Sequence, residues 1–309
     1  MLTAMPVATS EGSRVLGGID RWIDRFLALA ADPRPFDRRP TLRTFEKVLL
    51  LHLSARLWYG AFAPSSISDV GQTWMSYAMT LCFAMLFVKR LAPLAIGGAF
   101  CVMLVALWGT FPMTSNHLFL ELWTLLLLVV IGGHEEAEAR VWVAAMRWSV
   151  AIMLFYTGVQ KVLYGAYFSG QFLIVEMILK PEFSSSIGWM LSPEEWERLR
   201  LLIPNNVGVG PYKTSSLLLL LASNSVYLFE MSAPVLLLWE RTRRAAVLVV
   251  FAFVVAIQGG AREVFFAGLM ANLLMLFWPA NAHRYALPVF SVVYVVIGLA
   301  RAFYVGGLR

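Results

Sequence analysis

Charged residues are scarce in this sequence of 309 residues: Asp, Glu, Lys and Arg make up 14% of it, whereas hydrophobic residues make up 59%. That balance excludes an ordinary soluble domain and indicates an integral membrane protein with several spans. The net charge of +6 comes from basic residues that lie at the ends of apolar segments rather than in one stripe. The sequence therefore gives no indication of a nucleic-acid partner.

Residue types that perform common enzyme chemistry are also few. Cys82 and Cys101 are the only cysteines, and each falls inside a predicted span, so they cannot form a disulfide framework. The sequence has no Gly-rich phosphate loop, no nucleophile elbow and no Cys-x-x-Cys pair. We expect no metal site, because the predicted topology scatters the four histidines between the two membrane faces. These are His52, His117, His134 and His283.

Long apolar segments fill most of the sequence and predict an all-α polytopic integral membrane protein. A helix needs about 20 apolar residues to cross a bilayer, so several segments are marginal and we expect a bundle of about eight to nine transmembrane helices. Residues 45–309 form a single transmembrane domain, because we find neither an internal repeat nor a low-complexity tract. The segments cover residues 45–62, 72–88, 92–110, 117–133, 141–164, 214–239, 243–260, 263–280 and 285–304.

The segment that precedes the first span, residues 1–44, contains seven arginines and no compact apolar core before a small-residue cleavage site. We therefore expect no cleavable signal peptide. Hydrophobic residues recur at helical spacing within residues 15–27, which predicts an amphipathic helix on the cytoplasmic membrane surface. A helix packed under the bundle is the alternative.

The distribution of lysine and arginine predicts the orientation. Basic residues crowd before the first span and follow the second, fourth, sixth and eighth, whereas the loops at 63–71 and 111–116 have none. By the positive-inside rule the N-terminus is cytoplasmic, and we expect the chain in the inner membrane of a cell. The long connection 165–213 then lies on the non-cytoplasmic side, where we expect two short helices at the interface.

Several ionisable residues fall in the spans at similar predicted depth. Lys161 lies near the outer end of the fifth span, His117 and Glu121 lie on one face of the fourth, and Arg56 lies in the outer half of the first. Charged residues inside a membrane are energetically costly and usually have a function, so we treat these four as candidate functional residues. We expect a buried polar centre that opens to the outer face, in which burial favours the neutral, basic form of Lys161.

Structural roles are open for the same residues. Lys161 could extend its ammonium to the membrane interface, and Arg56 with Glu121 could form a buried ion pair that fixes helix packing. Asn116 and His117 could cap the start of a helix. Outside this group, Glu230 and Asn272 could make hydrogen bonds between helices.

Two short motifs resemble a known family. Residues 114–120 contain the Asn116-His117 pair, and residues 155–163 contain an aromatic-x-x-Gly-x-x-Lys pattern that ends at Lys161. These resemble the membrane region of vitamin K-dependent γ-glutamyl carboxylases and of the bacterial HTTM-domain family, which includes the sporulation-delaying-protein B group. Glu230 and the basic turn at 241–244 resemble the family's next helix and loop. The resemblance covers about residues 40–280.

The resemblance implies an enzyme that uses a reduced quinone, either vitamin K hydroquinone or a menaquinol-like compound. Lys161 would be the base that deprotonates the quinol, which then reacts with dioxygen to drive oxidation or carboxylation of a secreted peptide or protein. His117, oriented by Asn116, would stabilise the oxygenated intermediate. Arg56, Glu121, Tyr156 and Gly158 would line the quinone pocket.

Other functional classes are compatible with the sequence. In the manner of the sporulation-delaying group, the chain could be a non-catalytic membrane partner for the maturation, export or immunity of a secreted peptide. Gln160 occupies a position where the carboxylases have a second lysine, so carboxylation of glutamate itself is less strongly indicated than quinol-linked chemistry. A transporter is disfavoured, because we find no paired broken helices.

Overall fold

The computed structural model describes residues 37–307, apart from 62–68, 112–115, 134, 203–212, 262 and 279. Every regular element in those ranges is helical, which confirms the predicted all-α class. The amphipathic helix predicted within residues 15–27 of the segment 1–44 lies outside the described residues. The first described helix begins at Arg39, six residues before the predicted start of the first span.

Twelve α-helices follow one another along the described residues. They are α1 (Arg39–Ala61), α2 (Asp69–Met85), α3 (Ala92–Thr110), α4 (Asn116–Ile131), α5 (Glu136–Tyr164), α6 (Gln171–Leu179), α7 (Pro181–Ile187), α8 (Pro193–Leu202), α9 (Leu217–Leu238), α10 (Glu240–Ala261), α11 (Val264–Leu274) and α12 (Ala286–Gly307). Each predicted apolar segment overlaps one of the nine helices α1–α5 and α9–α12.

Four described helices are long and apolar enough to cross a membrane: Lys89–Gly109, Glu136–Tyr164, Leu217–Leu238 and His283–Ala300. The apolar helices His117–Ile131 and Val264–Phe277 are shorter, and α1 and α10 contain several charged residues. Fewer described helices than the eight to nine predicted from the sequence therefore contain the roughly 20 apolar residues that a membrane crossing needs. By length and composition, four of the described helices could cross a membrane, and the number of eight to nine crossings stays a prediction.

Helices that follow one another in the sequence pack together. Each of α1, α2 and α3 contacts the next helix in the chain, and so does each of α9 and α10. Long-range contacts join α1 to α11 and α12, and the longest helix, α5, to α9. Lipid tails are as apolar as leucine, so close packing and hydrogen bonds hold such helices together. Between α1 and α2, the hydroxyl of Thr80 lies 2.8 Å from that of Ser54 and accepts the indole N–H of Trp58 at 2.9 Å.

The connection after α5 contains three short helices, α6 to α8, rather than the two that we predicted. Pro181 and Pro193 each occupy the first position of a helix, where their missing N–H costs nothing, and so divide the segment further. Apolar side chains of these helices pack on the start of α9 in a small cluster that is separate from the main core. This arrangement sets the end of α5 beside α9.

Candidate functional site

Lys161 forms an ion pair with Glu230. The ammonium of Lys161 on α5 donates to both carboxylate oxygens of Glu230 on α9, at 2.8 Å and 2.6 Å. The Lys161 side chain is 20% exposed and that of Glu230 10%. The interhelical role expected for Glu230 is thereby confirmed, and Lys161 has a carboxylate partner that we did not predict for it.

Gly158 explains why these two helices come close enough for the pair to form. A Cβ atom at Gly158 would lie 2.6 Å from Cγ of Met231 and 3.0 Å from the carbonyl oxygen of Tyr227, both on α9. Only glycine lets the two backbones approach to this distance. Because residues three apart lie on one helix face, Lys161 points to the same neighbour and reaches Glu230. In the Gly-x-x-Lys motif, the glycine is thus the position where α5 contacts α9, and the lysine one turn later supplies the charge that reaches α9.

Two aromatic rings from the connection that follows α5 lie beside the ion pair. The ring of Tyr167 lies 5.6 Å from Nζ of Lys161, and it stacks on Phe172 at 4.6 Å between ring centroids. Burial raises the pKa of the Tyr167 hydroxyl, so that it stays a neutral donor. The carbonyl of Tyr167 accepts the hydroxyl of Ser223 on α9 at 2.7 Å, which fixes this turn against the helix that contains Glu230.

A second set of polar side chains, here called the Glu121 cluster, consists of His52, Arg56, Glu121 and Tyr294. Nε2 of His52 lies 3.0 Å from Oε1 of Glu121, and Nδ1 lies 2.7 Å from the hydroxyl of Tyr294. Oε2 of Glu121 lies 2.7 Å from Nη1 of Arg56, an ion pair by distance without an aligned hydrogen bond. The Arg56–Glu121 pair is as anticipated from the sequence, whereas His52 and Tyr294 were not assigned to it.

His117 lies next to the Glu121 cluster. It precedes Glu121 by one turn of α4, is half-buried, and lies 6.1 Å from the ring of Phe266. Glu121 and Arg56 are among the charged groups that act on it electrostatically. Asn116 is the first residue of α4, but its side chain lies outside the described part of the structure, and its predicted capping or orienting role stays a prediction.

The predicted polar centre is therefore divided between two places. Lys161 faces α9 and contacts Glu230 and Tyr167, whereas Glu121 faces α1 and contacts His52 and Arg56. The physical reason is that similar depth in a bilayer does not fix the direction of a side chain around its helix axis. Adjacent helices can thus present their charges to different neighbours.

The remaining predicted residues have different surroundings from one another. Gly158 is buried in the contact between α5 and α9, whereas Tyr156 is 58% exposed on the outside of α5. Asn272, for which we expected an interhelical hydrogen bond, is fully buried, and neither polar atom of its side chain bonds to any described residue. That expectation was wrong within the described part of the chain.

Sequence reasoning could have found the partner of Lys161 from one signal. Glu230 is the only charged residue in the 22 residues of α9, and a lone carboxylate in an apolar helix requires a cation. His52 and Tyr294 gave no comparable signal, because histidine and tyrosine are common in buried positions without a charged partner.

In the described residues, no group of three or more His, Cys, Asp or Glu side chains could bind a metal ion. Comparison with known proteins adds no assignment, since no family model, no curated protein and no solved structure matches the chain. The geometry of the two polar groups is therefore the basis for any functional conclusion.

Proposed function

We propose that the chain is an integral membrane enzyme in which Lys161 and Glu230 perform acid–base chemistry on a reduced quinone under oxygen, in the manner of the vitamin K-dependent carboxylase and HTTM-domain family. The single observation that supports this most is the contact between the Lys161 ammonium and both oxygens of Glu230, inside the contact of two apolar helices. A secreted peptide or protein is the proposed substrate.

The ion pair can form a neutral base without releasing a proton to bulk water. Transfer of one proton from the Lys161 ammonium to the Glu230 carboxylate leaves a neutral amine and a neutral acid, which removes the cost of two charges in an apolar surrounding. The amine can then accept a proton from a substrate hydroxyl, while the Glu230 carboxyl can return a proton later. Two groups that exchange one proton are suited to a reaction that both takes up and releases protons.

The surroundings of the pair fit a flat, lipid-soluble quinol. The Lys161 and Glu230 side chains are partly exposed, and the stacked rings of Tyr167 and Phe172 offer an aromatic face beside them. Lys161 and Glu230 would bind the quinol hydroxyl, and Tyr167 would orient its ring. The quinol would supply reducing electrons and a weakly acidic hydroxyl, and it would enter from the bilayer.

The roles of the other family-like residues follow from the resemblance. His117 with Asn116 would position the second reactant near the outer end of α4, and Arg56 with Glu121 would hold that end of α1 and α4 in place. On this proposal the chain crosses the cell inner membrane about eight to nine times with a cytoplasmic N-terminus. The site then faces the non-cytoplasmic side, where the connection after α5 would receive the peptide.

The test is oxidation of a menaquinol or vitamin K hydroquinone by the purified protein in nanodiscs under oxygen, with the products followed by mass spectrometry. Lys161→Ala and Glu230→Gln should abolish formation of oxidised quinone. Lys180→Ala is the matched control, because Lys180 forms a more exposed ion pair with Glu176 on α6. Activity that survives in both variants of the pair, or that is lost in the control as well, would refute the proposal.

A non-catalytic membrane partner for a secreted peptide is the second candidate, and the same ion pair is the observation that favours it. A salt bridge beside the close contact of Gly158 also fixes α5 against α9. In that case the folded wild-type protein oxidises no quinol, and Lys161→Arg preserves maturation or export of the peptide.

A further inference from the structure

Tyr294 and His52, which have no role in the proposed function, form a buried chain of hydrogen bonds with Glu121. The hydroxyl of Tyr294 lies 2.7 Å from Nδ1 of His52, and Nε2 of the same imidazole lies 3.0 Å from the carboxylate of Glu121. The three residues belong to α12, α1 and α4 and are 5%, 0% and 0% exposed. The chain therefore joins three helices inside the bundle.

The charges in the Glu121 cluster decide the direction of each hydrogen bond. Glu121 forms an ion pair with Arg56 at 2.7 Å, so its carboxylate is ionised and can only accept. Nε2 of His52 therefore carries the proton that Glu121 accepts, which leaves Nδ1 unprotonated. A tyrosine hydroxyl that faces an unprotonated nitrogen donates to it. Tyr294 thus donates to a base that a carboxylate orients, the arrangement in which a hydroxyl is prepared to lose its proton.

Gly268 on α11 leaves the space in which this contact is made. A Cβ atom at Gly268 would collide with the hydroxyl of Tyr294 and would lie 3.4 Å from Nδ1 of His52. Glycine inside a helix is less stable than alanine. At this position the sequence therefore has space beside the phenol in place of a better helix former.

The surroundings of Tyr294 suit a group that loses an electron. The rings of Phe265 and Phe290 pack on it, with 6.3 Å and 6.1 Å between ring centroids. Phenylalanine has no O–H, N–H or S–H bond from which a phenoxyl radical could take a hydrogen atom. An electron can leave a buried ring without contact between the reactants, whereas a proton needs an acceptor at hydrogen-bond distance. His52 is such an acceptor.

We propose that Tyr294 is a redox-active tyrosine that gives up one electron while its hydroxyl proton moves to Nδ1 of His52. The oxidant is an oxygen-centred radical such as hydroperoxyl. The O–H bond of Tyr294 breaks, an N–H bond forms at His52, and the electron reduces hydroperoxyl to its anion. A neutral phenoxyl radical and an imidazolium remain, and the hydrogen bond from Nε2 to Glu121 stabilises the imidazolium.

The site would trap one-electron oxidants that form in the membrane. The ring of Tyr59 packs on Phe265 at 5.1 Å between ring centroids and is 37% exposed, so aromatic rings connect Tyr294 to the surface at the end of α1. A lipid-soluble reductant of the quinol class can return the electron by this route, and His52 returns the proton. The inference is independent of the chemistry proposed for Lys161 and Glu230, because any oxygen-centred radical serves as the oxidant.

The test uses the full chain in nanodiscs without added quinol. Photogenerated tris(bipyridine)ruthenium(III) removes one electron from the protein, and the frozen sample is examined by electron paramagnetic resonance. The chain has 10 tyrosines, so isotopically labelled histidine identifies the one that is oxidised. A phenoxyl at Tyr294 accepts a hydrogen bond from the imidazolium of His52, and we expect its signal to show coupling to the labelled nitrogen.

Matched variants assign the signal. Tyr294→Phe should abolish the histidine-coupled radical. Tyr77→Phe should retain it, because Tyr77 is 56% exposed and packs on Trp58 rather than on a base. In His52→Gln, which cannot take up the proton, the phenoxyl should form about a hundredfold more slowly, as expected for loss of a positioned base. Melting temperatures are recorded as well, because a role in packing alone changes stability and gives no coupled radical.

The proposal is overturned by any of three results. Oxidised wild-type protein could show no phenoxyl coupled to histidine, a measurement that needs no variant and decides the outcome if Tyr294→Phe does not fold. Folded Tyr294→Phe could retain the coupled signal, which would place the radical elsewhere. His52→Gln could form the phenoxyl at the wild-type rate, which would mean that His52 accepts no proton from Tyr294.

Discussion

The carboxylate of Glu195 accepts both the backbone N–H and the hydroxyl of Ser215, at 2.9 Å and 2.8 Å. Glu195 belongs to α8 and is 3% exposed, whereas Ser215 lies just before α9. This contact ties the short helices that follow α5 to the start of the helix that contains Glu230.

Removal of this tie should weaken the fold. We expect Glu195→Ala to lower the free energy of unfolding by about 2 kcal/mol, the value of hydrogen bonds to a charged acceptor. Unfolding in mixed micelles measures the change. Glu197→Ala, which alters an exposed glutamate on the same helix, should have no effect. An equal loss in both variants would contradict the role of Glu195.

Ser192 should influence both the stability of α8 and the titration of Glu194. Its hydroxyl accepts the N–H of Glu195 at 3.2 Å and, by hydrogen bonding to the side chain of Glu194, holds the pKa of that carboxyl below its ordinary value of 4.5. The contribution of this contact is present above the ordinary pKa and is lost as the pH falls through the lowered one.

Ser192→Ala should therefore raise the pKa of Glu194 toward 4.5, as measured by NMR titration of labelled glutamate carboxyls. Loss of the capping hydroxyl should also cost about 1 kcal/mol of stability at neutral pH. An unchanged Glu194 titration in a folded Ser192→Ala protein would contradict the assigned contact.

Gly158→Ala should separate α5 from α9. The new Cβ would meet Met231 and the backbone of Tyr227 at 3.0 Å or less, so we expect a loss of about 1–3 kcal/mol from overpacking. Gly97→Ala on α3 is the matched control: it has open space around it and should gain up to about 1 kcal/mol from helix propensity. Thermal unfolding compares the two, and equal effects would show that Gly158 is not a close-contact position.

Asn272→Leu should stabilise the protein. The asparagine is fully buried and its amide bonds to no described residue, so an apolar side chain of similar size removes the cost of an unpaired polar group. We expect a gain of about 1–2 kcal/mol, seen as a higher melting temperature in detergent. A lower melting temperature would instead mean that the amide has a partner in the folded protein.

The sequence was sufficient to locate the helices, because long apolar stretches between basic and polar connections leave few alternatives in a membrane protein. The boundaries of α3 at Ala92 and Thr110 agree with the predicted segment. The connection after α5 was less predictable, since its three helices are short and two of them, α7 and α8, begin at prolines.

The pairing of charges could not be derived in the same way. A helix that is apolar all round has no amphipathic stripe to indicate its neighbour, and Lys161 and Glu230 are 69 residues apart. Lys161, His117 and Glu121 are buried or half-buried, as expected from the sequence, but the partner of Lys161 depends on the contact of α5 with α9, whereas the partners of Glu121 include Arg56 on α1. The close-contact role of Gly158 depends on the same arrangement.

The most direct measurement of the central claim is the rate of quinol oxidation by Lys161→Arg in nanodiscs. Arginine retains the positive charge and an ion pair with Glu230, but it cannot supply a neutral amine. We predict a folded protein with a wild-type melting temperature that oxidises quinol about a hundredfold more slowly, or slower still, as expected for loss of a general base. Oxidation at the wild-type rate would contradict the account and leave Lys161 and Glu230 as a structural ion pair.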